Sequence, residues 1–339
     1  MAHSQDILDV TLIATVFNEI SSIDAMMNSF WKMTHLPKEF VIVDGGSSDG
    51  TIERLREWKI KMEPNISLVI IVDDKCNKKY HPSPIALGRN IAIKNASYPV
   101  IAATDAGCVL HASWLIEIAG PLLHDPTVDV VAGWNEVMAI GFFERCQAII
   151  AYRPPSTVDP DSFLPSSRSI AFRKNAWTTV GGYPEISLAG EDTLFDLRIR
   201  EFGLKIIFAP TAIVYWRMRP DFYRYVQLIY RYGFGDGFGR LLPMNCVKNS
   251  LKVSGWLFFL GSSFFLSKWF LIPFCIYLWL LPFVFKLREA FRIKMTFMYP
   301  VVSFLKIVWD ITYVVGYLKG MSSEQQPAFL RVRDFKKIK

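Results

Sequence analysis

Val43-Asp44-Gly45-Gly46-Ser47-Ser48-Asp49-Gly50-Thr51 follows the apolar run Phe40–Val43 and leads straight into a stretch of helical spacing at about 50–60. A buried run that ends in a carboxylate, passes through two glycines and enters a helix reads as a strand-to-helix junction of an α/β sheet. In such sheets ligands collect at the carboxyl ends of the strands. Working outward, Val10–Thr15, Leu68–Val72, Val100–Ala103 and Val128–Ala132 are further short apolar runs of strand type. Helix-like stretches separate them at about 21–33, 84–96 and 112–123. Asp49-Gly50-Thr51 opens the second helix, and Ser83-Pro84 opens the third with a cap and a first-turn proline. Asp44 is placed to accept from a ring N–H or a ribose hydroxyl, whereas a turn-and-cap role suits Asp49 better. The glycines let backbone approach a ligand closely. The junction is neither a Walker A loop nor a GxGxxG fingerprint.

Other strand ends are polar too. The first closes in Thr15-Val16-Phe17-Asn18-Glu19 and the fourth in Thr104-Asp105-Ala106-Gly107-Cys108. A carboxylate such as Asp105 suits a divalent cation that bridges a nucleotide's phosphates. Arg89, in Gly88-Arg89-Asn90, is either a positive charge near that diphosphate or an ordinary solvated helix position. Gly190-Glu191-Asp192 begins a helix whose apolar face runs Phe195, Ile199, Phe202. Asp192 falls at the edge of that face, where the helix dipole favours an ionised carboxylate able to act as a general base. An ordinary acidic first turn fits the same position. The loop-like stretch Arg153–Ser167, rich in Pro, Ser and Asp, is long for a compact domain and reads as a lid or binding loop.

Taken in order, Phe-Asn-Glu, Val-Asp-Gly-Gly-Ser-Ser-Asp-Gly-Thr, Gly-Arg-Asn, Thr-Asp-Ala-Gly-Cys, Gly-Gly-Tyr and Gly-Glu-Asp resemble the inverting family 2 glycosyltransferases of GT-A fold, over roughly residues 10–216. The resemblance implies a Rossmann-like, mainly parallel α/β catalytic domain that uses a nucleotide-diphosphate sugar. It places Thr15, Phe17, Glu19 and Asp44 at the donor's base and ribose, with Arg89 nearby. Asp105 matches the first acid of the family's Asp-x-Asp motif, contacting donor or a Mg or Mn cation. Asp192 matches the catalytic base and Glu191 the residue that orients it or touches the sugar. Gly181-Gly182-Tyr183 would shape the donor-sugar pocket, although the glycines also read as plain turn chemistry. Gly107 departs from the pattern by standing where the second acid belongs. Cys108 reads as packing and His111 as a surface histidine. Processive members carry Gln-x-x-Arg-Trp, whereas this chain has Gln227-x-x-x-Arg231-Tyr232, one residue too long for polymer synthesis. Arg231 is left to contact a donor or acceptor phosphate, and the Arg153–Ser167 loop together with Arg168, just before the strand-like Ser169–Arg173, is expected to face the acceptor.

Composition adds a membrane. The 339 residues are 51% hydrophobic and 20% charged, with mean hydropathy +0.24, which excludes a disordered chain and a nucleic-acid-coating protein. The five cysteines are scattered, without a CxxC pair. All the excess positive charge lies in residues 286–339, which hold eleven Lys/Arg against four acids. It follows the 33-residue stretch Val253–Phe285, whose one charge is Lys268. Basic flanks on both sides favour a hairpin of two short helices turning near Lys268 or Pro273. Tyr299–Leu318 carries Lys306 and Asp310, costly at mid-bilayer, and reads as an interfacial helix before a basic tail at 319–339. The aromatic and arginine-rich stretch Arg217–Arg240 also suits an interface. The expected organisation is a cytoplasmic catalytic domain over 1–250 and an integral membrane region over 251–339. Its partners are a nucleotide-diphosphate sugar, a lipid-linked or glycan acceptor and membrane lipid, with no nucleic acid. Competing readings are a nucleotidyltransferase, which lacks its triphosphate-gripping Gly-rich start and Lys here, and a catalytically degenerate nucleotide-binding membrane protein.

Overall fold

The computed structural model describes residues 6–185, 189–265, 267–273, 275–276 and 298–323. Eight strands run in chain order as β1 (Asp6–Val16), β2 (His35–Asp44), β3 (Ser67–Val72), β4 (Val100–Ala103), β5 (Cys108–Leu110), β6 (Val130–Met138), β7 (Ile170–Arg173) and β8 (Ile206–Arg217). The helices are α1 (Ile23–Trp31), α2 (Thr51–Met62), α3 (Pro84–Asn95), α4 (Trp114–His124), α5 (Phe142–Ala151), α6 (Lys174–Thr179), α7 (Glu191–Glu201), α8 (Phe222–Phe238), α9 (Pro243–Phe265) and α10 (Tyr299–Met321).

The strands form one sheet in the order β3-β2-β1-β4-β7-β6-β8-β5. β1 pairs in parallel with β2 and β4, and β2 with β3. In this half every strand ends at the same edge: Val16 lies opposite Asp44, and Ile13 opposite Ala103. Beyond β4 the β4–β7, β6–β7 and β5–β8 pairs are antiparallel, so the expected Rossmann-like parallel part is β3-β2-β1-β4, the half that carries the site.

Side chains alternate across a strand, and both faces are covered. Leu12, Ala14, Phe40, Ile42 and Ala102 pack with Met26 and Phe30 of α1, Leu55 of α2 and Trp114 of α4. Ile13, Val41, Val43 and Ile101 pack on the other side with Ala86 and Ile93 of α3 and with Phe195 and Ile199 of α7. Burial on both faces explains why these strands read as unbroken apolar runs. Phe202, expected on the buried face of α7, is 55% exposed instead. The helix stops at Glu201, and Gly203 turns left-handed behind it, so Phe202 leaves the periodic stripe and Leu194 joins the buried set.

The chain divides into two compact units. Among the described residues, the first holds the chain through Glu136 together with Arg153–Trp216, and the second holds Val137–Tyr152 and the chain from Arg217 to Ser323. In the second unit α8 and α10 meet backbone to backbone. A Cβ added at Gly233 would lie 2.2 Å from the Tyr313 carbonyl oxygen, and one at Gly237 would lie 2.0 Å from that of Tyr317. Gly316 and Gly320 approach Tyr230 and Phe234 of α8 in the same way, a small-residue seam of the kind that lets helices close tightly. Asp310 is fully buried and paired with Lys306 one turn earlier. Among the described residues Pro300–Met321 is the one helix long and apolar enough to cross a membrane.

α9 begins at Pro243, ten residues before the apolar stretch, and the helix breaks at the expected turn, where Lys268–Phe270 form a short 3-10 segment. The return arm of the expected hairpin falls largely outside the described residues, as does the basic tail past Ser323. Phe264, Phe265 and Trp269 are each at least 75% exposed on this region.

Candidate active site

The edge where the parallel strands end gathers the carboxylates of the first unit. Asp44 closes β2, fully buried, and its Oδ1 accepts from the backbone N–H groups of Gly46 (2.8 Å) and Ser47 (2.7 Å). The turn role assigned above to Asp49 alone is therefore shared by Asp44. Its other oxygen, Oδ2, is buried without a hydrogen-bond partner, and a buried orphan acceptor is costly unless a ligand satisfies it. Asp49 behaves as expected, accepting from the N–H (3.1 Å) and hydroxyl of Thr51 at the start of α2.

Thr15 is half-buried on β1 beneath α3. A Cβ at Gly88 would meet its methyl at 2.7 Å, so the glycine of Gly88-Arg89-Asn90 lets the helix lie close to the strand. Phe17 is exposed. Glu19 lies in the turn before α1, with its carboxylate on the Ser22 hydroxyl and its N–H donating to Thr51 Oγ1 at 2.9 Å. Ser83 precedes α3 without a side-chain capping bond, and its hydroxyl is buried and unpartnered.

Arg89 is the centre of the site. Far from a solvated helix position, it is 4% exposed and bridges two carboxylates, Asp105 Oδ1 and Glu191 Oε1, each at 2.8 Å. Burial opposes its charge, but the two acids hold it on and raise its pKa. The second oxygen of Asp105 lies 3.5 Å from Arg168 Nε. Arg168 in turn stacks over the Trp216 ring at 4.3 Å and donates to Ser166 Oγ at 3.0 Å.

Glu191 and Asp192 open α7 behind the left-handed Gly190. Glu191 is buried against Arg89, which makes it a partner of the arginine more than an orienter of Asp192. Asp192 is partly exposed, with Oδ1 accepting from the Thr193 N–H at 2.9 Å. One turn on, Asp196 is buried with neither oxygen bonded. Burial, then the Asp192 charge, raises its pKa well above the ordinary aspartate value. It was missed in the sequence because an Asp among Leu and Phe at helical spacing reads as a solvated position. Asn90 was quoted in a motif without a role, yet it is a clamp. Its Oδ1 accepts from the Tyr183 N–H (2.9 Å) and Trp177 Nε1 (3.0 Å), and its Nδ2 donates to the Tyr183 carbonyl (2.8 Å) and Glu185 (2.7 Å). Gly181 and Gly182 both take positive φ in that turn. Tyr183 is buried, stacked on Phe195 at 4.1 Å with its hydroxyl 3.0 Å from Ser167 Oγ. The long loop is tied down as well: Phe163 packs on Phe208 at 4.8 Å, and Arg200 of α7 donates to the carbonyls of Asp161 and Phe163.

Burial and the adjacent Asp192 charge push the Glu191 carboxyl up to about 7, against the pull of Arg89. The folded chain thus keeps a proton that the unfolded chain releases near 4.5. Stability from this group is complete below that value and falls as pH rises through about 7. At about 1.4 kcal/mol per unit, the loss is on the order of 3 kcal/mol. Denaturation curves of wild type and Glu191→Gln between about pH 5 and 8 check this. The variant is expected to lack that slope, and parallel pH dependences would contradict the shift.

The sequence profile of Glycosyl transferase family 2 matches residues 11–145, a span that takes in Thr15, Asp44, Arg89 and Asp105. The chain carries a family 2 glycosyltransferase domain. Glycosyltransferase AglE of Haloferax volcanii is 25% identical over 217 residues, covering 62% of this chain and 67% of the relative. The poly-beta-1,6-N-acetyl-D-glucosamine synthase of Staphylococcus aureus is 24% identical over 219 residues, covering 62% of this chain and 50% of the synthase. This chain thus matches only half the length of that relative. The glycosyltransferase fold is shared with the mannosyltransferase PcManGT of Pyrobaculum calidifontis, solved with GDP-Man and Mn2+, at TM-score 0.60 and 18% identity over 89% of this chain and 87% of that one.

The glycosyltransferase domain meets a divalent cation with a thin donor set. Among the described residues no three His, Cys, Asp or Glu side chains converge. Gly107 contributes no ligand, and a Cβ built there meets nothing within 4 Å. Asp105, the remaining acid of the motif, has both oxygens engaged by guanidinium groups. Cys108 is buried, and burial raises its thiol pKa to about 12, which removes it as a ligand. These residues do not fit a resident divalent cation. Arg231 sits exposed on α8 in the second unit.

Proposed function

We propose that this glycosyltransferase moves one sugar from a nucleoside-diphosphate sugar to a hydroxyl of a lipid-linked or glycan acceptor at a membrane face, with inversion. Asp192 carries the proposal. Of the three acids that α7 places within two turns, Glu191 is committed to Arg89 and Asp196 is buried away from any acceptor. Asp192 alone is both partly open to solvent and backed by a helix N-terminus that favours its ionised form. It takes the proton of the acceptor hydroxyl, whose oxygen attacks the anomeric carbon in line. The bond from that carbon to the diphosphate oxygen breaks, and the nucleoside diphosphate leaves with the electron pair. In-line attack on the face opposite the leaving group inverts the anomeric centre.

The donor's base and ribose are assigned to the pocket at Thr15, Phe17, Glu19 and Asp44. The orphan Asp44 Oδ2 offers an acceptor to a ring N–H or a ribose hydroxyl. The GDP-Man and Mn2+ bound by the archaeal mannosyltransferase support a nucleotide-sugar donor. They also raise a divalent cation for this chain, which at Asp105 would compete with two guanidiniums. Membrane attachment is supported by α10 and by the exposed aromatics Phe264 and Phe265 at the end of α9 and Trp269 after it; the catalytic domain is assigned to the cytoplasmic side. Arg231 is assigned to a donor or acceptor phosphate. Incubating the full chain in native membranes with a panel of UDP- and GDP-sugars tests the reaction. Release of one nucleoside diphosphate that rises with added acceptor lipid is expected, and no release from any donor would contradict it.

A further inference from the structure

Arg89 and Arg168 touch the same carboxylate but are held differently. Arg89 is sealed between Asp105 and Glu191 and cannot leave without stranding two acids in a buried place. Arg168 is the outer of the two, with its side chain 18% exposed. Three contacts from three segments fix its plane: Asp105 after β4, Ser166 in the loop before β7, and the Trp216 ring in β8. Charge on this side of the site is therefore organised in a chain, Glu191–Arg89–Asp105–Arg168, that ends in a guanidinium at the strand edge.

A planar guanidinium presents its N–H groups in a fork that matches phosphate oxygens. A cation bound to Asp105 would instead have to displace or face the two guanidiniums already on its oxygens. The missing acid at Gly107 and the engaged Asp105 thus have one explanation. We propose that Arg168, positioned by Asp105 and Trp216, neutralises the leaving diphosphate, so that donor binding does not require a divalent cation. This rests on the nucleotide-sugar reading above. Asp105 then acts as a positioning residue for Arg168.

Calorimetric titration of the full chain in detergent with UDP and GDP, in EDTA and again in Mn2+, tests this. One of the two nucleotides is expected to bind with a Kd that changes less than about twofold between EDTA and Mn2+. Arg168→Ala is expected to weaken that nucleotide at least about tenfold, as loss of a charge-assisted phosphate contact does. The corresponding monophosphate is expected to weaken less than about twofold, since its outer phosphate is absent; Arg168→Lys recovers part of the charge but not the fork. Binding that appears only with Mn2+ would overturn the inference and leave the donor reading standing. Equal weakening of mono- and diphosphate by Arg168→Ala would make the arginine merely structural and overturn it too. If neither nucleotide binds in either condition, the donor reading falls and the inference with it.

Discussion

Asp192→Asn is expected to lower sugar transfer by about 10²–10⁴-fold, the span over which a positioned general base contributes, while nucleotide binding stays within about twofold of wild type. The asymmetry follows from the residue's place. Asp192 starts α7 with one oxygen on the Thr193 N–H, and an asparagine oxygen accepts that bond equally well. The ion pairs around Arg89 run through Glu191 and Asp105, not Asp192, so the substitution leaves them in place. Removing the Asp192 charge also takes away a neighbour that raises both Glu191 and Asp196. The variant should therefore fold at least as well as wild type at neutral pH. Transfer measured with saturating donor, beside calorimetric nucleotide binding, separates the two effects. Transfer that persists in the variant would remove Asp192 from the chemistry.

Arg89→Met is expected to be the most destabilising single change in the sheet unit, at about 3–5 kcal/mol, because it strands a buried acid rather than merely deleting a contact. Glu191 is nearly as buried as the arginine, and it would lose the Arg89 charge that opposes the upward push of burial and Asp192 on its carboxyl. Asp105 lies nearer solvent and keeps Arg168, so most of the cost falls on Glu191. Adding Glu191→Gln to Arg89→Met should then restore part of the lost stability, a coupling that residues sharing one network produce. Denaturant unfolding of the single and double variants reads it directly. Simple additivity would mean that the bridge has no cooperative role.

The parallel half of the fold is legible because its strands are buried on both faces and so appear as unbroken runs such as Val10–Thr15 and Val100–Ala103. β8 is harder to see, since Pro210 interrupts its apolar run and a proline usually argues against an interior strand. The three-residue β5 has no periodicity to find. Within the site, Asp44, Asp105 and Asp192 are visible as charged residues at strand ends or in a helix first turn, and Arg89 as a charge inside a helix. What joins them is not visible: the 16- and 102-residue separations bridged by Arg89 exist only once α3 and α7 lie over the same sheet face. Arg89 and Glu191 therefore looked like ligand contacts or surface charges, and their mutual burial reassigns them to holding the site together. The seam of α8 and α10 was hidden for the opposite reason. Hydropathy marks Lys306 and Asp310 as a cost although they pair one turn apart within α10, and the close approach at the glycines exists only once α8 lies against α10.

Inversion by a base on α7 is the central claim, and the anomeric configuration of the first transferred sugar tests it most directly. Proton NMR of the product formed from an α-linked nucleotide sugar is expected to give a β-glycoside, with no signal from the α-anomer. An α-linked product would require a double displacement or front-side attack, and would contradict the role assigned to Asp192.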